Sequence, residues 1–340
     1  MSKENKAEWN PIFQAAAASW NMSVLEMEEA INFGPPAIGI DVTDYGVTEW
    51  SGRAPLFTAC DPLTSKHNQM QFIQINTRQF TIASDRMKQS TAAHEFGHVL
   101  GLKHPSDQVE DMGSQCDEVV LMNHYWIPRE TCDVYRPRPD DITGVSMLYD
   151  DNIGESRSTS KHTEMGSTDL TEAPSDGAVG VYLDYVKGYD SIEEVSADAT
   201  AELVVKPTGT SRVEYISGGP DQYSNPVPFT VTEAKVVSAG SGDFESGDIV
   251  NIRQDGNREE YAVNAAELLE EGSEYLVYLK PWDGPGGTGA EQHIIVGGQA
   301  AWKLSTEEEG RGVIASGDTQ LPSDVNLSHQ RGQLRVASAD

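Results

Sequence analysis

Residues 94–104 read HEFGHVLGLKH and place three histidines and a glutamate within one short stretch. On an α-helix His94 and His98 are one turn apart, about 40° around the axis and about 6 Å between Cβ atoms, so both imidazoles can reach one ion. Glu95 points about 100° away from His94, which leaves it outside the ligand set. Its carboxylate can instead take a proton from a water on that ion.

Gly101 determines whether His104 can reach the same ion. In a continuous helix His104 would lie about 15 Å along the axis from His94. A glycine adopts a positive φ without strain, so Gly101 can end the helix and turn the chain back. Three neutral nitrogens and a water form the open tetrahedral arrangement of a catalytic zinc ion. The pattern predicts one Zn²⁺ held by His94, His98 and His104, with Glu95 as general base.

The pattern HExxHxxGxxH resembles the signature of the metzincin zinc peptidases. Met122, in the run LMNHYW, is placed like the methionine turn that metzincins carry beneath the metal. DDITGVSMLYD resembles the C-terminal helix of the matrixin branch, and IQINTRQF resembles its edge strand, which pairs with extended substrate. The resemblance covers residues 1–150 and is nearest to small bacterial relatives of the matrixins. It implies an α+β catalytic domain with a twisted mixed sheet, long helices, a zinc helix, a methionine turn and a C-terminal helix.

The sequence departs from the family pattern just after the methionine. Where matrixins carry proline, this chain has His124, which could approach the metal or line the pocket beside the cleaved bond. We expect the second, with Tyr125 and Trp126 forming the pocket wall. The residues assigned to the substrate pocket are therefore His124, Tyr125, Trp126, Ile73 and Ile75.

Cys116 and Cys132 bracket the methionine turn. A disulfide between them would stabilise that loop by about 3 kcal/mol, and two buried free thiols are the alternative. A disulfide implies an oxidising compartment, so we expect a secreted protein, although the given sequence begins without a signal-peptide pattern. Cys60 is then left over.

The net charge of -30 bears on the partners of the protein. Such an acidic surface repels phosphate backbones, which excludes nucleic acid and anionic membranes as expected partners. The longest apolar runs are too short to span a bilayer. Asp41, Asp44 and Asp61 could bind Ca²⁺, but scattered surface carboxylates are the simpler interpretation. The expected partner is a protein or peptide substrate.

Composition and hydrophobic pattern divide the chain into four segments. Residues 1–150 carry the zinc pattern, with helices predicted at 8–31, 89–102 and 140–149 and strands at 38–42, 56–59 and 71–76. Residues 151–177 are rich in Ser, Thr and Gly and indicate a linker. Residues 178–318 contain short β-branched runs between Gly- and Asp-rich turns, which predict an all-β accessory domain, a sandwich or an OB-like barrel. Residues 319–340 are predicted to form a polar, frayed tail.

Two functional classes follow from these residues. The first is a secreted zinc-dependent endopeptidase, with an accessory β-domain that binds substrate or a surface. The second is a zinc-stabilised binding or structural protein, such as a surface or virion component, with vestigial or narrowly specific proteolytic activity. The presence of Glu95 favours the enzyme, because a purely structural zinc site does not need a general base.

Overall fold

The structure is a computed structural model that describes residues 3–22, 26–27, 38–56, 71–105, 116–149, 179–216, 226–257, 261–263, 267–284, 291–305, 311–315, 321–330 and 333–338. Within these ranges the chain combines helices with two β-sheets, so the predicted α+β class is confirmed. Among the same residues, no helix is both long enough and apolar enough to cross a membrane.

The helices of the described chain lie mainly before the linker. They are α1 (Lys3–Ser19), α2 (Asp85–Val99), α3 (Trp126–Thr131), α4 (Pro139–Tyr149) and α5 (Ile192–Asp198). The zinc-pattern helix α2 begins four residues before the predicted start at 89, because Ser84 caps it. The Ser84 hydroxyl accepts a hydrogen bond from the Met87 amide at 3.2 Å, which satisfies one of the open donors of the first turn.

The first sheet combines strands that precede and follow residues 151–177, which lie outside the described residues. Its members are β1 (Ile38–Thr43), β2 (Trp50–Leu56), β3 (Gln71–Asn76), β4 (Val179–Tyr185) and β8 (Tyr261–Val263), in the order β1-β3-β2-β4-β8. The predicted edge strand 71–76 is therefore wrong as an edge. The predicted strand is β3, and it has a neighbour on each side. It pairs parallel with β1 on one side and antiparallel with β2, the strand before it in the chain, on the other.

The second sheet contains a closed ring. Its strands are β5 (Ala201–Ile216), β6 (Val227–Ser241), β7 (Ile249–Asp255), β9 (Tyr275–Pro281), β10 (Gln292–Ile295), β11 (Ala301–Leu304), β12 (Arg311–Ile314), β13 (Asp324–Gln330) and β14 (Gln333–Ser338). The order is β10-β7-β6-β5-β9-β11-β12-β13-β14, and β10 also pairs with β9. Strands β5, β6, β7, β10 and β9 thus close on themselves through the pairing of β10 with β9.

The predicted frayed tail at 319–340 is wrong. Strands β13 and β14 form an antiparallel hairpin, from Val325 opposite Ser338 to Gln330 opposite Gln333. Val325 is fully buried in the core of the second sheet, and β13 also pairs with β12. The polar composition of residues 319–340 suggested a tail, but a strand needs only one buried face to stay on a sheet, so a largely polar segment can still form a hairpin.

A shared apolar cluster joins the two sheets. Trp50 of β2 is fully buried in it, and its Nε1 donates a 2.8 Å hydrogen bond to Asp255 at the end of β7. Because β4 and β8 belong to the first sheet, residue 178 does not separate the strands of one sheet from those of the other. The buried members of this cluster are Tyr45, Trp50, Tyr125, Leu183, Tyr185, Ile216, Val227 and Phe229.

The predicted disulfide between Cys116 and Cys132 is present, with a Cα–Cα distance of 5.2 Å. It closes the segment that carries Met122 and restricts the unfolded chain, so the double variant Cys116→Ser, Cys132→Ser should lose about 3 kcal/mol of unfolding free energy in urea denaturation. A reductant should lower the stability of the wild-type protein similarly and leave the double variant unchanged. Equal stability of the two proteins would show that the crosslink does not limit unfolding.

Candidate metal centre

The end of helix α2 turns the chain as the sequence predicts. Gly101 has φ 97°, its amide donates to the His98 carbonyl at 2.9 Å, and the Leu102 amide donates to the Gly97 carbonyl at 2.9 Å. This pair of bonds is a Schellman motif, which requires a left-handed residue at the Gly101 position. The turn directs the following residues back along the helix, and His104 is brought beside His94 and His98.

The three predicted ligands converge on one point. Their Nε2 atoms are 3.0 Å apart for His94 and His98, 3.1 Å for His98 and His104, and 3.2 Å for His94 and His104. A tetrahedral zinc ion with bonds of about 2.0–2.1 Å separates its ligand nitrogens by about 3.3 Å. The observed triangle is close to that spacing. Among the described residues this is the group of side chains whose donor atoms could hold a metal ion.

Backbone carbonyls orient two of these imidazoles. His94 Nδ1 donates to the Leu121 carbonyl and His98 Nδ1 to the Leu102 carbonyl, both at 2.8 Å. A carbonyl oxygen only accepts, so each Nδ1 carries the proton and each Nε2 presents a lone pair. Burial lowers the pKa of His94 well below its ordinary value and that of His98 to about 3. Neutral rings with converging lone pairs fit a divalent cation.

The methionine turn packs directly beneath helix α2. Gly97 lets the Met122 sulfur approach so closely that a Cβ at Gly97 would overlap it. The buried Asp141 carboxylate at the start of α4 holds the turn, since it accepts hydrogen bonds from the amides of Leu121 at 2.9 Å and Met122 at 3.1 Å. The turn therefore places both Met122 and the carbonyl that orients His94.

Glu95 is fully buried, and neither of its carboxylate oxygens has a hydrogen-bond partner among the described residues. The carboxylate lies against β2, where a Cβ at Gly52 would be 2.5 Å from Oε1. Burial raises the pKa of Glu95 well above its ordinary value, and the neighbouring Asp184 carboxylate adds to that shift. A buried carboxylate without a donor indicates a ligand or water that completes its hydrogen bonds.

A buried ion pair between Arg129 and Asp184 borders the centre. Arg129 Nη2 lies 2.8 Å from Asp184 Oδ1 and 2.7 Å from Oδ2, and both side chains have 0% exposure. Arg129 Nη1 also donates to the Leu121 and Asn123 carbonyls and contacts His94 Nδ1. Sequence reasoning missed this pair. The available signal was an aspartate inside the apolar run VYLDYV, where an ionised group needs a partner.

The residues assigned to a substrate pocket separate into two places. The His124 ring stacks on His104 at 4.2 Å between centroids, and on Tyr125 at 4.9 Å, so this part lies beside the metal ligands. Trp126 packs instead against Phe80, with ring centroids 5.4 Å apart, in the core shared by α1, α2 and the first sheet. Ile73 and Ile75 of β3 are fully buried in that same core.

The carboxylates considered for calcium have other partners. Asp41 is buried and accepts a 3.0 Å hydrogen bond from the Tyr45 hydroxyl. Asp44 forms an ion pair with Arg78 at 3.0 Å. Asp61 lies outside the described residues, as does Cys60.

The chain matches no protein-family model and no curated protein sequence.

Gly101 offers a matched test of the metal centre. Gly101→Ala should cost about 1–2 kcal/mol of backbone strain at φ 97° and should displace His104, lowering zinc affinity about 10- to 100-fold. Gly247→Ala imposes a similar strain at φ 104°, with nothing within 4 Å of the added Cβ. Zinc titration against a competing chelator should separate the two variants, and equal affinities would mean that the turn does not position His104.

Proposed function

We propose that this protein is a zinc-dependent endopeptidase of the metzincin kind. Two observations carry the proposal: the three Nε2 atoms converge at 3.0–3.2 Å, and the next residue of the same helix after His94 is Glu95, a buried carboxylate with no hydrogen-bond partner among the described residues. Three nitrogen ligands leave one tetrahedral position open, as in catalytic rather than structural zinc sites. Glu95, adjacent to His94 in helix α2, would supply the general base that hydrolysis requires.

The residues of the chain have distinct parts in this reaction. A zinc ion held by His94, His98 and His104 would supply Lewis-acid polarisation of a peptide carbonyl and acidify a water. Glu95 takes the proton of that water at its carboxylate and delivers it to the leaving amine. The Leu121 and Leu102 carbonyls keep the His94 and His98 rings in the orientation and tautomer that binding needs.

The disulfide between Cys116 and Cys132 supports a secreted enzyme. Disulfides persist in oxidising compartments and are rare where thiols are kept reduced. Protein or peptide is the proposed substrate, and the ring of strands after the linker is the proposed accessory domain, of OB-like form, for a substrate or a surface.

One observation favours the second candidate, a zinc-stabilised binding or structural protein. His94 and Glu95 are 0% exposed and His98 is 1% exposed, so a protein substrate does not reach them in this conformation. Burial of this kind fits a zinc ion that stabilises the fold and meets no substrate. The two candidates differ in whether Glu95 has a chemical role.

Glu95→Gln tests that role. The amide keeps the shape of the side chain but accepts no proton, so cleavage of unfolded casein should fall about 100- to 10,000-fold while zinc stays bound. Fragments are followed by mass spectrometry and zinc by elemental analysis, with chelated wild-type protein as control. Equal cleavage by both proteins removes Glu95 from the mechanism. Cleavage by neither, with stoichiometric zinc in both, supports the structural candidate.

A further inference from the structure

Strand β4 packs beside the candidate catalytic centre. It contributes Asp184, which accepts a 3.1 Å hydrogen bond from Thr91 of helix α2, and Tyr185, whose ring centroid is 4.8 Å from that of His124. Because Glu95 is fully buried, a peptide bond reaches it only after part of the structure around it moves. The residues that contact β4 are therefore the residues that a substrate in the same position would contact.

Strand β4 has backbone contacts on both sides, as an extended peptide has when it is bound in a cleft. On one side β4 runs antiparallel to β2, with Asp184 opposite Gly52 and Leu183 opposite Arg53. On the other side Tyr185 forms a parallel backbone bridge with Tyr125, next to His124. Gly52 is also the residue against which the Glu95 carboxylate lies. Addition of a strand to a sheet edge is a common mode of peptide recognition, and here the β2 edge next to Glu95 is occupied by the chain itself.

Asp184 anchors this strand through its side chain. The carboxylate accepts from Arg129 Nη2 at 2.7 Å and from the Ser51 hydroxyl at 2.9 Å, and none of these three side chains is exposed. A buried guanidinium left without its carboxylate is strongly disfavoured, so Arg129 selects for an acidic group at this position. Arg129 belongs to the segment after the methionine turn, whereas its partner lies beyond the linker.

We propose that β4 is an internal substrate-like strand, which an extended peptide with an acidic residue at the Asp184 position displaces from β2 before it is cleaved. Arg129 is then a specificity-determining residue, and the protein is latent until β4 leaves. This inference rests on the proposed endopeptidase function, because it assigns the regulation and the substrate class of the same site.

A reversible crosslink tests whether β4 lies in the path of substrate. Ala54 and Tyr182 are directly opposite in the β2–β4 ladder, a spacing of about 4.5–5.5 Å between Cα atoms that a disulfide can bridge. The oxidised Ala54→Cys, Tyr182→Cys protein should cleave casein at least about tenfold more slowly than after reduction, with unchanged zinc content. Wild-type protein with and without the same reductant is the control. Equal rates in the oxidised and reduced variant overturn the proposal and leave the endopeptidase function standing.

Peptide binding tests the same inference without catalysis. The probe is a fluorescently labelled peptide of residues 179–186, VGVYLDYV, added to a zinc-loaded Glu95→Gln, Asp184→Asn protein, whose own strand has lost its anchoring charge. It should bind at least about tenfold more tightly than the same peptide with asparagine for aspartate, because only the carboxylate pairs with Arg129. Equal affinities, or no binding by either peptide, overturn the proposal. Selective binding together with no cleavage in any state rejects the endopeptidase function and retains the strand exchange.

Discussion

Arg129 and Asp184 form an ion pair with no solvent exposure, and the elements around the metal centre meet at it. Asp184 belongs to β4 and also accepts hydrogen bonds from Ser51 of β2 and Thr91 of α2, while Arg129 follows the methionine turn. Removing one partner of such a pair costs about 3 to 5 kcal/mol, because the remaining charge stays buried. Helix α2, the first sheet and the turn that carries Met122 are therefore held in one geometry by residues that lie 55 positions apart.

That geometry extends to the candidate metal ligand His94 through the Leu121 carbonyl as well as by direct contact with Arg129. The Leu121 oxygen accepts from both Arg129 Nη1 and His94 Nδ1, so the ion pair and the first ligand share an acceptor. Asp141 holds the Leu121 amide from the other side. Hydrogen bonds of this kind set the tautomer and direction of a ligating imidazole, and weakening them lowers metal affinity even when every ligand is intact.

In the proposed endopeptidase, burial of the centre has two opposite consequences for catalysis. Exclusion of water strengthens each electrostatic interaction of Glu95, which favours proton transfer and charge stabilisation in a hydrolytic site. The same exclusion keeps a protein substrate out. The proposed exchange of β4 for an extended peptide would meet both needs, exclusion of water and entry of substrate. The peptide would make the same backbone hydrogen bonds to β2 that β4 makes. The difference in free energy between bound β4 and a bound peptide would then come from side-chain contacts such as the one with Arg129.

The sequence by itself determined what depends on short spacing. Histidines four residues apart on a helix face one ion, and a glycine at position 101 allows the positive φ that brings back His104. Cysteines that bracket a short segment could be paired for the same reason. Only the tertiary structure decided that β4 joins the first sheet, that β3 is interior, and that Asp184 meets Arg129. Backbone hydrogen bonds are alike in every strand, so the choice of partner depends on packing between segments far apart in the chain, which local pattern does not encode.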